Sequence, residues 1–199
     1  MYLNMVLAAV FFACVATMSQ TGLWTNAIIL FNVVTAALLA TTLWEPVASW
    51  LQTKEASYTY VWDFLALWGL FAASLGLLGT ITNLLSRVKV KFRKPVDQAG
   101  GLFFAAWVGW VMVCFTTFSM HTAPLVRNFF DGTFQPTPTD KMFFGWGPDR
   151  QWLGFVQKES KGALSGSGGV FDPNAEFILK YGERRARFEK EPTVRVGGG

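Results

Sequence analysis

The chain has 199 residues, of which 52% are hydrophobic and only 15% charged. Ordinary soluble domains carry about 25% charged residues, so the composition argues against a domain that lives wholly in water. The formal charge of +4 comes largely from Arg87, Lys89, Lys91, Arg93 and Lys94, five cations in eight residues with no acid among them. Cys14 and Cys114 stand far apart in apolar stretches, a pattern that suits neither a disulfide framework nor a metal site and reads as small apolar packing.

Charge is segregated along the chain. Residues 1–44, 64–86 and 98–126 contain no Asp, Glu, Lys or Arg, whereas residues 127–199 hold 11 Lys/Arg and 9 Asp/Glu. A helix rising about 1.5 Å per residue needs about 20 residues to cross a hydrocarbon core about 30 Å thick. On that measure the sequence predicts an all-α integral membrane protein with a four-helix transmembrane domain over 1–126. Residues 127–199 are predicted to form an irregular, partly helical, extramembrane tail rich in Gly, Pro and aromatics.

The first predicted span covers residues 2–19. A secretory signal peptide would carry a positive n-region and a small-x-small cleavage site. The first is absent, and Ala16-Thr17-Met18 is a poor version of the second. A polar break at Ser19-Gln20-Thr21-Gly22 leads to a second span over 23–44, and the short connection predicts an antiparallel hairpin of the two. Glu45-Pro46 is expected to end that span, because proline disfavours helical geometry in the residue before it. The stretch that follows, to residue 60, is polar and aromatic. Trp44, Trp50, Tyr58, Tyr60 and Trp62 suit the headgroup layer, consistent with a short helix lying on the membrane surface. Spans three and four are predicted over 61–85 and 99–120, with Pro124 closing the last.

A cationic run such as 87–94 can bind nucleic acid. Here it joins two apolar segments, so it reads as a juxtamembrane loop over 86–98 held in the cytoplasm, and no nucleic-acid partner is expected. Counting outward places the amino terminus, the Lys54 loop and the tail on the other side.

Lipid tails are as apolar as leucine, so helices in a bilayer associate through close packing and a few hydrogen bonds. Small residues four apart permit close packing: Gly101, Ala105 and Gly109 in span four, Ala72 and Gly76 in span three, Ala36 and Ala40 in span two. Asn4, Asn32, Asn83, Thr35, Thr82, Thr116 and Thr117 need partners, since an unpaired amide in hydrocarbon costs several kcal/mol. Asp63, in the first turn of span three, is expected to cap that helix or face the interface. His121, the single histidine, is read as structural.

The segment from Asn83 to Leu125 resembles the colicin V production protein (CvpA) family. The likeness rests on an Asn-bearing end of span three, a basic loop, and Asp followed by a Gly-rich start to span four, here Asn83, Asp97, Gly100, Gly101 and Gly109. The family commonly has a basic residue in its first turn, and SQTGLWTN has none. The resemblance covers about residues 1–125 and not the tail. It implies four spans in the bacterial inner membrane and an association with toxin (bacteriocin) production or export and with envelope processes.

In the tail, residues 127–169 show no helical or strand periodicity, and ALSGSGGVF reads as a linker. Gly145-Trp146-Gly147 lacks the GK[ST] ending of a phosphate loop. The aromatics Phe143, Phe144, Trp146, Trp152 and Phe155 are placed either against the bundle or at the bilayer surface. A helix is predicted over about 173–190, with Asp172 as N-cap, Pro173 in the first position, and Phe177, Tyr181 and Phe188 on one face.

The pattern points to a non-enzymatic component that binds the bilayer and other membrane proteins or itself, with no cofactor. The alternative is an oligomeric channel or transporter for a small solute, which would need ionisable groups or broken helices inside the spans. Gly69, Gly76 and Gly79 are the one hint of that. An intramembrane enzyme would need a nucleophile–base pair or metal ligands, and one histidine without a companion carboxylate in the apolar segments supplies neither.

Overall fold

The computed structural model describes residues 2–54, 59–86, 90, 92–125, 130, 139–162 and 170–188. Among them there are six helices and no strand: α1 (Tyr2–Met18), α2 (Leu23–Lys54), α3 (Thr59–Leu85), α4 (Lys94–Thr122), α5 (Pro148–Lys161) and α6 (Phe177–Phe188). The segments Leu23–Lys54, Val61–Leu85 and Lys94–Thr122 are long and apolar enough to cross a membrane. Helix α1 is apolar but only 17 residues long, about 25 Å, so it falls below the length expected of a first span.

Helix α2 does not stop at Glu45-Pro46. It runs as one 32-residue helix with Pro46 inside it, in place of a span followed by a separate surface helix. Proline in a helix interior removes one hydrogen bond and crowds the carbonyl four residues back, a cost of about 3 kcal/mol. Burial offsets it: Trp44 and Ala48, on either side of the proline, are buried in the core.

Helix α4 is the axis of the bundle, packed against α1, α2, α3 and α5. The predicted antiparallel reversal is made by the four-residue turn between α1 and α2, but both helices pack on α4 more than on each other. The cause is the small-residue row of α4. A Cβ on Gly101 would fall 2.8 Å from the Thr21 carbonyl oxygen, and one on Gly109 would fall 3.0 Å from the Phe11 ring. Ala105 between them is buried. The row in α3 behaves differently. Ala72 and Gly76 are exposed, and a Cβ on Gly76 would meet nothing within 4 Å, so that row is not a seam within this chain.

The tail contains a helix that the sequence reading left irregular. Helix α5 starts with Pro148 at its first position and ends at Gly162, whose N–H reaches the Lys158 and Glu159 carbonyls at 3.1 Å. Its buried residues Asp149, Trp152, Val156 and Ser160 recur at helical spacing on one face. Gly-rich flanks and a short length concealed that period. Helix α6 begins at Phe177, later than predicted. Asp172 does accept hydrogen bonds at its start, from the N–H of Glu176 at 2.8 Å and of Phe177 at 3.2 Å. Pro173 lies in the turn before the helix, where Asp172 (φ 43°) and Ala175 (φ 55°) are left-handed.

The core is aromatic and joins four helices. Phe115 of α4 meets Phe71 of α3 at 4.7 Å between centroids and Trp152 of α5 edge-on at 5.9 Å. Phe118 stacks on Phe177 of α6 at 5.0 Å, and Phe177 in turn meets Tyr181 at 4.6 Å.

Replacing Gly101 by valine drives a side chain into the Thr21 backbone and is expected to destabilise the detergent-solubilised protein by about 1–3 kcal/mol. Gly76→Ala, facing open space, should leave the thermal unfolding midpoint unchanged or raised. Equal midpoints for the two variants would refute the assignment of the α1–α4 seam.

Candidate functional site

Two polar centres stand at opposite ends of the bundle. At the end that carries the basic run, the turn between α1 and α2 is tied to the start of α4. The Asp97 carboxylate accepts the N–H of Leu23 at 3.0 Å, satisfying one free donor at the start of α2. Gly22 makes room for it, since a Cβ there would sit 2.6 Å from the Asp97 carboxylate. Gly100 likewise accommodates Leu23, whose Cδ1 would lie 2.2 Å from an added Cβ.

Asn26, fully buried, completes this centre. Its amide donates to Gly101 O at 2.8 Å and to Met18 O at 3.0 Å, and its Oδ1 accepts the Thr21 hydroxyl. One side chain thus holds α1, the turn, α2 and α4. The sequence reading missed Asn26, although an Asn in the first turn of a span was a readable signal for a side chain in need of partners. Of the basic run, Arg93 and Lys94 are exposed at the start of α4, while Arg87, Lys89 and Lys91 lie outside the described residues.

The opposite end holds buried charge. His121 has a companion carboxylate, supplied from outside the apolar segments by α5: its Nε2 lies 3.1 Å from Asp149 Oδ2, and both side chains are fully buried. The guanidinium of Arg185, 4% exposed, approaches from α6, with Nη1 3.5 Å from His121 Nδ1 and 3.4 Å from His121 O. A guanidinium has no acceptor to offer, so the ring nitrogen facing it serves as acceptor and Nε2 carries the proton toward Asp149. Asp63, a full turn into α3, does not cap that helix. It is buried and paired with Arg184 of α6. Tyr181 packs beside this pair with the Arg184 guanidinium 5.6 Å from its ring centre. Burial pushes the Tyr181 hydroxyl well above the usual phenol range, and the Asp63 carboxylate adds to the shift.

Tryptophan N–H groups make further cross-links: Trp68 to Ser119 Oγ at 3.1 Å, Trp152 to Thr41 Oγ1 at 3.1 Å, and Trp110 to Gln151 Oε1 at 3.1 Å. Between α1, α4 and the 142–146 turn lies a wide apolar cleft of about 700 Å³, walled by Phe11, Phe12, Trp107, Trp110 and Phe144. The turn holds Phe143 and Phe144 in left-handed conformations (φ 54° and 55°), with Phe143 and Trp146 against Trp110. No three His, Cys, Asp or Glu side chains gather among the described residues. The arrangement therefore offers buried hydrogen bonds and ion pairs between helices, and an apolar flank.

A family model described as "Colicin V production protein" matches residues 3–135 of the chain. No curated protein and no solved structure matches it.

Removing the Asp149 carboxylate leaves the buried His121 N–H without its acceptor. Asp149→Ala is expected to cost about 3 kcal/mol and to make the region after residue 125 markedly more sensitive to protease in detergent. A variant whose proteolysis pattern and melting midpoint match the parent would show that the cluster does not hold the tail helices.

Proposed function

Because the chain belongs to the colicin V production protein family, we propose that it is a non-enzymatic, multi-pass component of the bacterial inner membrane that supports toxin (bacteriocin) production or export, or envelope processes, by binding other membrane proteins or a second copy of itself. Four spans are part of the reading. Helix α1, about 25 Å long, can cross with slight thinning of the bilayer at modest cost, and it packs along α4 for much of that length. With four spans, positive charge retained in the cytoplasm puts loop 86–98 inside and the region after residue 126 outside. That region's helices meet α4 at His121 and α3 at Asp63, the ends remote from the basic run, which supports the same division at about residue 126.

The observation that carries the reading is how the polar groups are used. Asn26, Asp97, Asp63 and the His121–Asp149–Arg185 cluster all link one element to another, while α3 presents an exposed row of Ala72 and Gly76. A catalytic His–Asp pair needs a route for substrate, and this one is closed off from solvent by 0% exposure of both side chains. A row of small residues on an outward face of a span suits close approach by another helix.

A photo-crosslinking amino acid at Ala72 or Gly76, introduced in the native membrane, is expected to yield discrete protein adducts. The same group at exposed Phe12 should yield few. Purified protein in vesicles should pass small solutes no faster than empty vesicles. Flux that scales with protein content, with no protein adduct from α3, would replace this reading with a transport function.

A further inference from the structure

We propose that a crevice between α2 and α3, at the end of the bundle that carries the basic run, binds an anionic phospholipid whose headgroup bears hydroxyl groups. The crevice measures about 220 Å³ and is lined by Trp24, Asn32, Gly79, Thr82, Asn83 and Ser86, among others. Its floor is open at Gly79, where a Cβ would meet nothing within 4 Å. At one end the Trp24 indole N–H donates to Ser86 Oγ at 3.0 Å and holds the two helices together.

Asn32 supplies the chemical demand. It is 96% buried, since only 4% of its surface is exposed. Its Nδ2 donates to Thr82 Oγ1 at 2.9 Å, and the Thr82 hydroxyl is itself committed to the Leu78 carbonyl at 2.8 Å. Thr82 can therefore only accept from Asn32, which fixes the orientation of the amide and leaves Oδ1 as a buried acceptor with no partner. The missing group is a hydrogen-bond donor.

Position and charge narrow the donor. Asp63 and Asn83 are 20 residues apart on α3, about 30 Å along the helix, which matches the hydrocarbon thickness. With Asp63 at one boundary, Thr82 and Asn83 lie at the other, where lipid glycerol and headgroup atoms are found. Arg87 follows Ser86 directly in the sequence and opens the five-cation run. Such a run attracts anionic headgroups and disfavours a further cation. A hydroxyl donor on an anionic phosphodiester, as in phosphatidylglycerol, meets both demands. The ammonium of phosphatidylethanolamine meets the first alone, and phosphatidylcholine has no donor.

The site depends on membrane embedding and not on any protein partner, so the crosslinking result above does not bear on it. The full chain, purified in detergent, would be mixed with vesicles of equimolar phosphatidylglycerol, phosphatidylethanolamine and phosphatidylcholine of the same acyl chains, and retained lipids counted by native mass spectrometry. Phosphatidylglycerol should be retained at least fivefold over phosphatidylcholine. Gly79→Leu, whose Cβ would meet nothing within 4 Å and whose longer chain would occupy the crevice, should lower that retention about tenfold with no fall in melting midpoint. If Gly79→Leu does not fold, Asn83→Leu at the exposed rim carries the same expectation. Replacing Arg87, Lys89 and Lys91 by glutamine should erase the preference for the anionic lipid. Equal retention of the three lipids, best retention of phosphatidylethanolamine, or undiminished phosphatidylglycerol in the crevice-filling variant would each overturn the proposal.

Discussion

Apolar helices surrounded by lipid gain little by burying apolar surface against one another, so a small number of polar links and close backbone approaches must decide how they are arranged. In this chain Asn26 is the clearest case. Its amide reaches the last turn of α1, the connecting turn and the backbone of α4 through the carbonyls of Met18, Thr21 and Gly101. The glycines at 22, 100 and 101 serve the same end, since a side chain at any of them would push the two segments apart. Much of the family resemblance lies in this one junction: Asp97 on Leu23, and the glycines that let it close.

The other end of the bundle follows the same rule with charges. A buried carboxylate or guanidinium is tolerated only when paired and hydrogen-bonded, and the bundle alone would leave His121 and Asp63 without partners. Helix α5 brings Asp149 and α6 brings Arg184 and Arg185. The aromatic core then extends outward from Phe115 and Phe118 through Trp152, Phe177 and Tyr181, so that polar pairing and ring packing favour the same placement of the two helices. The region after residue 126, read from its sequence as an irregular, partly helical tail, contributes residues to the central hydrophobic cluster.

These links leave distinct surfaces for distinct neighbours. The α1–α4 flank is broad, aromatic and apolar, with Phe144 and Trp146 standing out from a turn strained by consecutive left-handed residues. The outward face of α3 is smooth and small-sided. The α2–α3 crevice is polar and reaches Ser86, the residue that precedes the five-cation run in the sequence.

The three long membrane helices, the apolar first helix and the cationic connector were legible in the residues, because hydropathy and charge are summed locally along the chain and need no knowledge of neighbours. The continuity of α2 through Pro46 was not, since local geometry predicts a break and burial of Trp44 and Ala48 overrides it. Nor could spacing show that the small residues of α4 face α1 while those of α3 face outward; both rows have the same period. The helix α5 was written in its alternation of Asp149, Trp152, Val156 and Ser160, but a short amphipathic segment between glycines carries too little local energy to announce itself. The pairing of His121 with Asp149, and of Asp63 with Arg184 at the far end of the chain, was settled only by the fold, because the burial that makes a charge seek a partner arises when distant segments come together.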